Sequence, residues 1–376
     1  MNVLNIHSYP FGLFSKNRSF NGGGEKVAYD THEILKNHIN IKTFSSEWDN
    51  LGNGYLPILP HQGLEYWKEN SKSIKRLIIS TIQKEKPDVI INHGSDKLLK
   101  LTNSLGIPSL FIDHRSNEIH KLYHESFFTK DAFQNYDIGG KIYTVSDFSR
   151  KIKEETIEKF WGNGFKYNGF INFQYMNTEL QYEEVEKEKR IITIGRCDGT
   201  KSPHRIEKLS SKLKLPYTVI TALPDVPKKD TQEYWDKYFD GKDILDNTLL
   251  NIDRKRTVDE LKKSKIYYST SSIESAGITA FESFSQGIPV ILYAPKEIHA
   301  STMYMENRKG FAWEYYTGKN IEVVEEFVKR CLSYTTEHSV IAEECAKNNS
   351  EESTRNSLLA AIMSIKKVEL ESPLGI

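Results

Sequence analysis

The run Ser272-Ile273-Glu274-Ser275-Ala276-Gly277-Ile278-Thr279-Ala280-Phe281-Glu282, followed by Gly287-Ile288-Pro289-Val290-Ile291-Leu292-Tyr293, decides how the fold is read. Its first part passes from small polar residues into an apolar stretch, the pattern of a loop entering a buried helix. Gly287 then closes that helix, and a β-branched run opens a buried strand. Upstream, Lys265-Ile266-Tyr267-Tyr268-Ser269-Thr270 reads as another strand. Strand, loop, helix and strand make the unit of a doubly wound parallel sheet, and the loop falls at the carboxyl edge, where such sheets bind ligands.

Glu274 and Glu282 stand eight positions apart with Gly277 between them. The first N–H groups of a helix have no intrahelical partner and sit at the positive end of its dipole, so the backbone there can hold a phosphate without a side-chain cation. At 3.6 residues per turn, Glu282 lies a little over one turn beyond Gly277, to one side, while Glu274 lies before the helix. Carboxylates at both ends and amides between them suit a nucleotide diphospho-sugar, with hydroxyls at its ends and phosphates in its middle. Further upstream, Arg190-Ile191-Ile192-Thr193-Ile194-Gly195-Arg196 is a strand entering a basic loop that ends at Lys201. An arginine fork and a lysine point charge can together neutralise a diphosphate as it leaves.

The amino-terminal half repeats the alternation. Asn2-Val3-Leu4-Asn5-Ile6-His7 reads as a first strand, and a long loop reaches Asn21-Gly22-Gly23-Gly24-Glu25 before a helix over 27–35. Glycines ahead of a helix let the backbone approach a ligand closely. The Gly-x-Gly-x-x-Gly spacing of a dinucleotide site is absent. Residues 88–93, 109–114 and 141–146 read as further strands, whose polar ends gather His93, Asp113, His114, Arg115 and Ser146. Such groups belong where an acceptor hydroxyl loses its proton, and Ser146 also suits a helix N-cap.

Together these residues resemble the retaining glycosyltransferases of the GT-B fold, in particular family 4. That family carries two glutamates with seven residues between them and a central glycine, then a small-residue helix and Gly-x-Pro-Val-Ile, matched here from Glu274 to Ile291. It also carries Gly-Arg, four residues, Lys, matched by Gly195, Arg196 and Lys201. The resemblance implies two Rossmann-like doubly wound α/β domains facing across a cleft. It places Glu282 on the ribose, Glu274 on the sugar hydroxyls, the backbone of Ala276, Gly277, Ile278 and Thr279 on the phosphates, and Arg196 with Lys201 on the diphosphate oxygens. Gly23 and Gly24 would face the diphosphate, His114 would touch the transferred sugar or the acceptor, and Asp113 would hold an acceptor hydroxyl or the imidazole. Two positions depart from the pattern: Ser202 follows the lysine where the family often has glycine, and Ala276 replaces a frequent aromatic.

The chain's 376 residues accommodate two lobes, expected over 1–175 and 176–350, joined by the strongly charged stretch 177–189. Helices are expected over 320–332 and 341–367, with residues 351–376 crossing back onto the first lobe as the family resemblance implies. No run approaches the roughly 20 apolar residues of a membrane span and no signal peptide opens the chain, so a bacterial cytoplasmic protein, or a host-cytoplasmic one if phage-encoded, is expected. Cys197, Cys331 and Cys345 are too few and scattered for a disulfide framework or a zinc site. No Asp-x-Asp pair occurs, so charge neutralisation is expected to fall to Arg196, Lys201 and the helix end without a metal or other cofactor.

The expected reaction, by resemblance, is retaining transfer from a nucleotide diphospho-sugar, UDP-sugars first among them, by a front-face route in which the departing phosphate takes the acceptor's proton. The acceptor is a saccharide, a lipid-linked or small molecule, or modified DNA. Lys+Arg and Asp+Glu both total 51, which speaks against general adhesion to anionic membranes or nucleic acid. Local basic stretches at 68–86 and 150–166, and a faint likeness of residues 113–116 and 170–174 to phage enzymes that glycosylate hydroxymethylcytosine, keep a DNA-modifying reading open. A non-catalytic nucleotide-sugar-binding module is the reading outside enzymes.

Overall fold

The computed structural model describes residues 1–7, 23–45, 55–57, 71–114, 127–175, 180–223, 229–272 and 274–365. They fall into two units: one holds the residues up to Phe173 with the stretch from Glu352 onward, the other Gln174–Glu351.

The first unit is built on seven strands, β1 (Asn2–His7), β2 (Asn40–Ser45), β3 (Tyr55–Pro57), β4 (Val89–His93), β5 (Ser109–Asp113), β6 (Lys141–Thr144) and β7 (Gly169–Phe170), in the order β3-β2-β1-β4-β5-β6-β7. Every pairing is parallel. β4 and β5 are buried along their whole length, so both faces are covered, which is why Val89-Ile90-Ile91 and Leu110-Phe111-Ile112 read as unbroken apolar runs. One apolar cluster joins Leu4, Ile6, Ile78, Ile90 and Leu98, and another joins Leu99, Phe111, Ile142 and Ile157.

The second unit carries six strands, β8 (Glu188–Ile194), β9 (Tyr217–Thr221), β10 (Thr248–Leu250), β11 (Ser264–Ser269), β12 (Val290–Tyr293) and β13 (Trp313–Tyr316), again all parallel, in the order β10-β9-β8-β11-β12-β13. Its core is one cluster that includes Ile191, Ile192, Tyr268, Phe281, Phe284 and Ile291. Both sheets run outward from a first strand and then restart on its other side, so the order reverses between β1 and β4 and between β8 and β11. The loops leaving the carboxyl ends of those strands flank the crevice where doubly wound sheets place ligands.

Several expected boundaries shift. The first helix begins at Gly23, so Gly23 and Gly24 form its first turn and do not precede it; their amides still lie outside the helical ladder. Residues 341–367 are not one helix but two, Glu337–Asn348 and Glu351–Met363. Asn349 ends the first with a non-helical backbone (φ −135°, ψ 69°) while its amide donates to the Cys345 carbonyl at 2.9 Å. The charged stretch 177–189 is not linker throughout, since Glu188 and Lys189 already belong to β8.

Candidate functional site

In the second unit, the loop after β8 and the loop after β11 are tied to each other. Thr270 Oγ1 donates to the Lys201 carbonyl at 2.7 Å, Ser271 Oγ to the Thr200 carbonyl at 3.2 Å, and Arg205 Nη1 to the Thr270 carbonyl at 2.8 Å. Asp198 folds the first loop, its Oδ1 accepting from the Lys201 amide at 2.9 Å. Ser202 adopts φ +46°, a left-handed backbone that disfavours side chains, and its hydroxyl donates to the Gly199 carbonyl at 2.6 Å. The serine that departs from the family's frequent glycine therefore falls on a position whose backbone conformation suits glycine.

The two loops bring Lys201 and Glu274 together, with Nζ 2.6 Å from Oε1 and side chains 28% and 15% exposed. Gly277 follows at φ +64° and caps the helix Ile278–Ser285. The ladder begins with the Ala280 and Phe281 amides donating to the Gly277 carbonyl at 3.1 and 3.2 Å, which leaves the earlier amides of Gly277, Ile278 and Thr279 outside it. A Cβ at residue 277 would stand 1.9 Å from Ser301 Oγ, so glycine is required by space as well as by φ. Gly287, at φ +68°, ends the same helix where a Cβ would strike the His338 carbonyl at 2.1 Å.

The segment after β12 braces this loop. His299 Nε2 donates to the Ser271 carbonyl at 3.2 Å and its Nδ1 accepts from the Ser301 amide at 3.2 Å, so the ring is neutral, in keeping with burial lowering its pKa. Tyr304 donates to the Ala276 carbonyl, fixing the backbone one residue before the helix cap. Tyr267 is buried nearby; burial first, and then the negative charges of Glu274 and Glu282, raise its phenol pKa, so it stays protonated.

Glu282 is nearly buried and pairs with Arg254, Nη2 to Oε1 at 2.7 Å. Arg254 opens the helix Arg254–Lys262 behind the N-cap Asp253. Arg196 does not join Lys201 directly: its guanidinium pairs with Asp198 at 3.1 Å and is 67% exposed. Cys197 is buried and its thiol is pushed up to about 12 by burial, then by Asp198, so it is no nucleophile at neutral pH. Asp198, Arg254, Tyr267 and His299 were not singled out from the sequence. Only Asp198 carried a signal, an Asx-turn aspartate three residues before the lysine.

In the first unit, His93 and His114 meet, Nδ1 to Nε2 at 3.0 Å, and Phe173 packs against both rings at 6.2 and 6.0 Å. Asp113, beside them in sequence, is buried: its Oδ2 accepts from Tyr167 at 2.7 Å and lies 3.4 Å from Lys153 Nζ. That carboxylate holds β5 to the Asp147–Trp161 helix, which gives it a bracing role. Ser146 caps that helix, accepting from the Ser149 amide at 3.0 Å. Gly23 and Gly24 open the helix that follows β1. Arg115 lies outside the described residues, as do Gly22 and residues 68–70 of the first basic stretch.

Within 150–166 several charges are matched by neighbouring carboxylates. Arg150 pairs with Asp147 and Glu154, Lys151 with Asp147 and Lys153 with Asp113, while Phe165 and Tyr167 are core residues. Among the described residues no group of three or more His, Cys, Asp and Glu side chains could hold a metal ion, and no helix is long and apolar enough to cross a membrane.

No family model and no curated protein matches the sequence. Solved structures do match over nearly the whole chain. A sucrose-phosphate synthase from Thermosynechococcus elongatus aligns at 12% identity over 96% of this chain and 98% of its own, with a TM-score of 0.65. Anabaena HepE in complex with UDP and glucose aligns at 11% identity over 97% and 100%, TM-score 0.69. The lipopolysaccharide outer core galactosyltransferase WaaB aligns at 16% over 97% and 99%, TM-score 0.57. The two parallel sheets with flanking helices have the GT-B fold of these structures.

Proposed function

We propose that the chain is a retaining glycosyltransferase that takes its sugar from a UDP-sugar and needs no metal. The observation that carries the reading is the Lys201–Glu274 pair beside the open helix start at Gly277, at the point where the strand order of the second sheet reverses. A cation and a carboxylate 2.6 Å apart match a ligand whose oxyanion and hydroxyls are close neighbours, as the phosphate and hexose of a sugar nucleotide are. Lys201 and the amides of Gly277 to Thr279 would take the diphosphate oxygens, Glu274 the sugar hydroxyls and Glu282 the ribose diol. Arg196, exposed and paired with Asp198, would supply a second cation.

Charge that develops on the leaving diphosphate is met by groups fixed before the donor arrives, the arrangement that lowers a barrier most effectively. His114 would contact the transferred sugar or the acceptor hydroxyl, with Asp113 bracing its strand. The acceptor attacks the anomeric carbon on the face the phosphate leaves, its proton passing to the departing phosphate oxygen, so configuration is kept. The UDP and glucose held by HepE and the galactosyltransferase activity named for WaaB support the reading by fold likeness.

A panel of UDP-, GDP- and ADP-sugars tested by thermal shift identifies the donor, because a ligand that binds only the folded state raises its stability with excess over Kd. Turnover of the stabilising donor is then followed by NMR. An inverted anomeric centre in the product removes the retaining assignment; loss of turnover in EDTA with recovery in manganese removes the metal-free one. A donor that binds but is neither transferred nor hydrolysed leaves a binding module.

A further inference from the structure

We propose that His93 is a positioning residue that fixes the tautomer of His114, keeping the His114 proton on Nε2 and leaving Nδ1 as an accepting nitrogen. This rests on the glycosyltransferase reading only for what the accepting nitrogen meets, not for the tautomer itself.

The argument starts at Asn5, fully buried in β1 at the strand reversal of the first sheet. Its Nδ2 donates to the Ala28 carbonyl at 2.8 Å and to Thr43 Oγ1 at 3.1 Å. A carbonyl oxygen only accepts, so the amide has one orientation and Oδ1 is the atom that faces His93 Nε2 at 2.9 Å. Oδ1 cannot donate, and His93 Nε2 therefore carries a hydrogen. A neutral imidazole has one, so His93 Nδ1 is a lone pair, and the hydrogen in the 3.0 Å contact with His114 belongs to His114 Nε2. The two ring planes are inclined to each other by 25° with centroids 5.2 Å apart, beside the 3.0 Å nitrogen contact. With both rings neutral, His114 Nδ1 carries no hydrogen.

The chain behind it is held in place. Thr43 Oγ1, which accepts from Asn5, also lies 2.8 Å from His32 Nδ1, so the hydroxyl is held from two sides. His93 is 2% exposed and packed against Phe173. The polarity set at Ala28 thus passes through Asn5 and His93 to His114. A proton-free Nδ1 accepts from a hydroxyl and cannot donate to a phosphate, so His114 belongs with a sugar or acceptor hydroxyl and not with the donor's diphosphate.

The test is long-range 1H–15N NMR of the histidine rings in the ligand-free protein at a pH where both are neutral, with His114→Gln for assignment. Wild type should show His114 as the Nε2–H form alone. His93→Phe, which keeps a flat ring and removes the acceptor, should give a mixture of the two forms. His93→Gln should restore the Nε2–H form, because its amide donates to Asn5 and its oxygen accepts from His114. An Nδ1–H His114 in wild type, or an unchanged tautomer in His93→Phe, overturns the proposal. If His93→Phe fails to fold, the wild-type spectrum and His93→Gln still decide. Failure of the glycosyltransferase reading would show separately, as the expected tautomers in a protein that turns over no sugar nucleotide. Where turnover exists, His93→Phe should lower kcat about tenfold with donor KM little changed, and His93→Gln should recover most of it.

Discussion

Replacing Lys201 by alanine separates a structural ion pair from a catalytic one. The pair is only partly buried, 28% and 15% exposed, so water screens it and its loss should cost about 1 kcal/mol of stability or less. For a unit of this size that is a fall in Tm of roughly 2–4 °C. The catalytic cost is of another order. Removing one preorganised donor from a developing oxyanion slows chemistry by about 10²–10³, near 3–4 kcal/mol of barrier. Lys201→Ala should therefore remain folded at 25 °C, lose at least a hundredfold in kcat, and keep its circular dichroism spectrum. The assay is donor turnover at saturating substrate beside thermal unfolding, repeated for Glu274→Ala and for the double variant. A structural pair makes the double variant recover activity, since no charge is left unmatched. A catalytic pair leaves it no better than the worse single variant. A Lys201→Ala protein within threefold of wild-type kcat would refute the assignment.

Further outcomes follow from local geometry. Gly277→Ala combines a left-handed backbone with a Cβ 1.9 Å from Ser301 Oγ and should lose about 2 kcal/mol or more by urea unfolding; adding Ser301→Gly should recover only the steric part. Ser202→Gly should be more stable than Ser202→Ala by about 1 kcal/mol, because both lose the bond to Gly199 and only glycine relaxes at φ +46°; equal stabilities would remove the strain argument. His338 is held neutral, its pKa lowered from 6.5 to about 4 chiefly by burial, with Nδ1 donating to the Gly287 carbonyl. The unfolded state then binds the extra proton first, so stability is whole above pH 6.5 and falls as pH drops toward 4; in His338→Asn, whose amide can keep the bond, unfolding midpoints should change less across that window.

How far the sequence discloses this molecule follows from which physics is local. β8 and β11 stand out because a strand covered on both faces needs an unbroken apolar run, and Ile191-Ile192 and Ile266-Tyr267-Tyr268 supply it. β2 and β13 do not stand out: Asn40-Ile41-Lys42 and Trp313-Glu314-Tyr315 mix charge into the strand, and only their neighbours in the sheet make them strands. Lys201 and Glu274 could each be placed at a sheet edge, yet their contact depends on β8 and β11 being adjacent, which strand order alone decides. Arg254 on Glu282 and His93 on His114 are of the same kind: Glu282 and the two histidines are marked locally, but the pairings across elements are not. The break at Asn349 was hidden because helical periodicity continues through it, while the Asn side chain's competition for the Cys345 carbonyl is a matter of one rotamer.

The hydroxyls of Thr270 and Ser271 and the guanidinium of Arg205 are spent on main-chain carbonyls of the opposite segment. Neither loop can therefore be re-cut alone. Anyone seeking to give this scaffold a different specificity would have to transplant residues 196–205 and 269–277 as a matched cassette, since a foreign version of one would arrive facing carbonyls that nothing on it was shaped to meet.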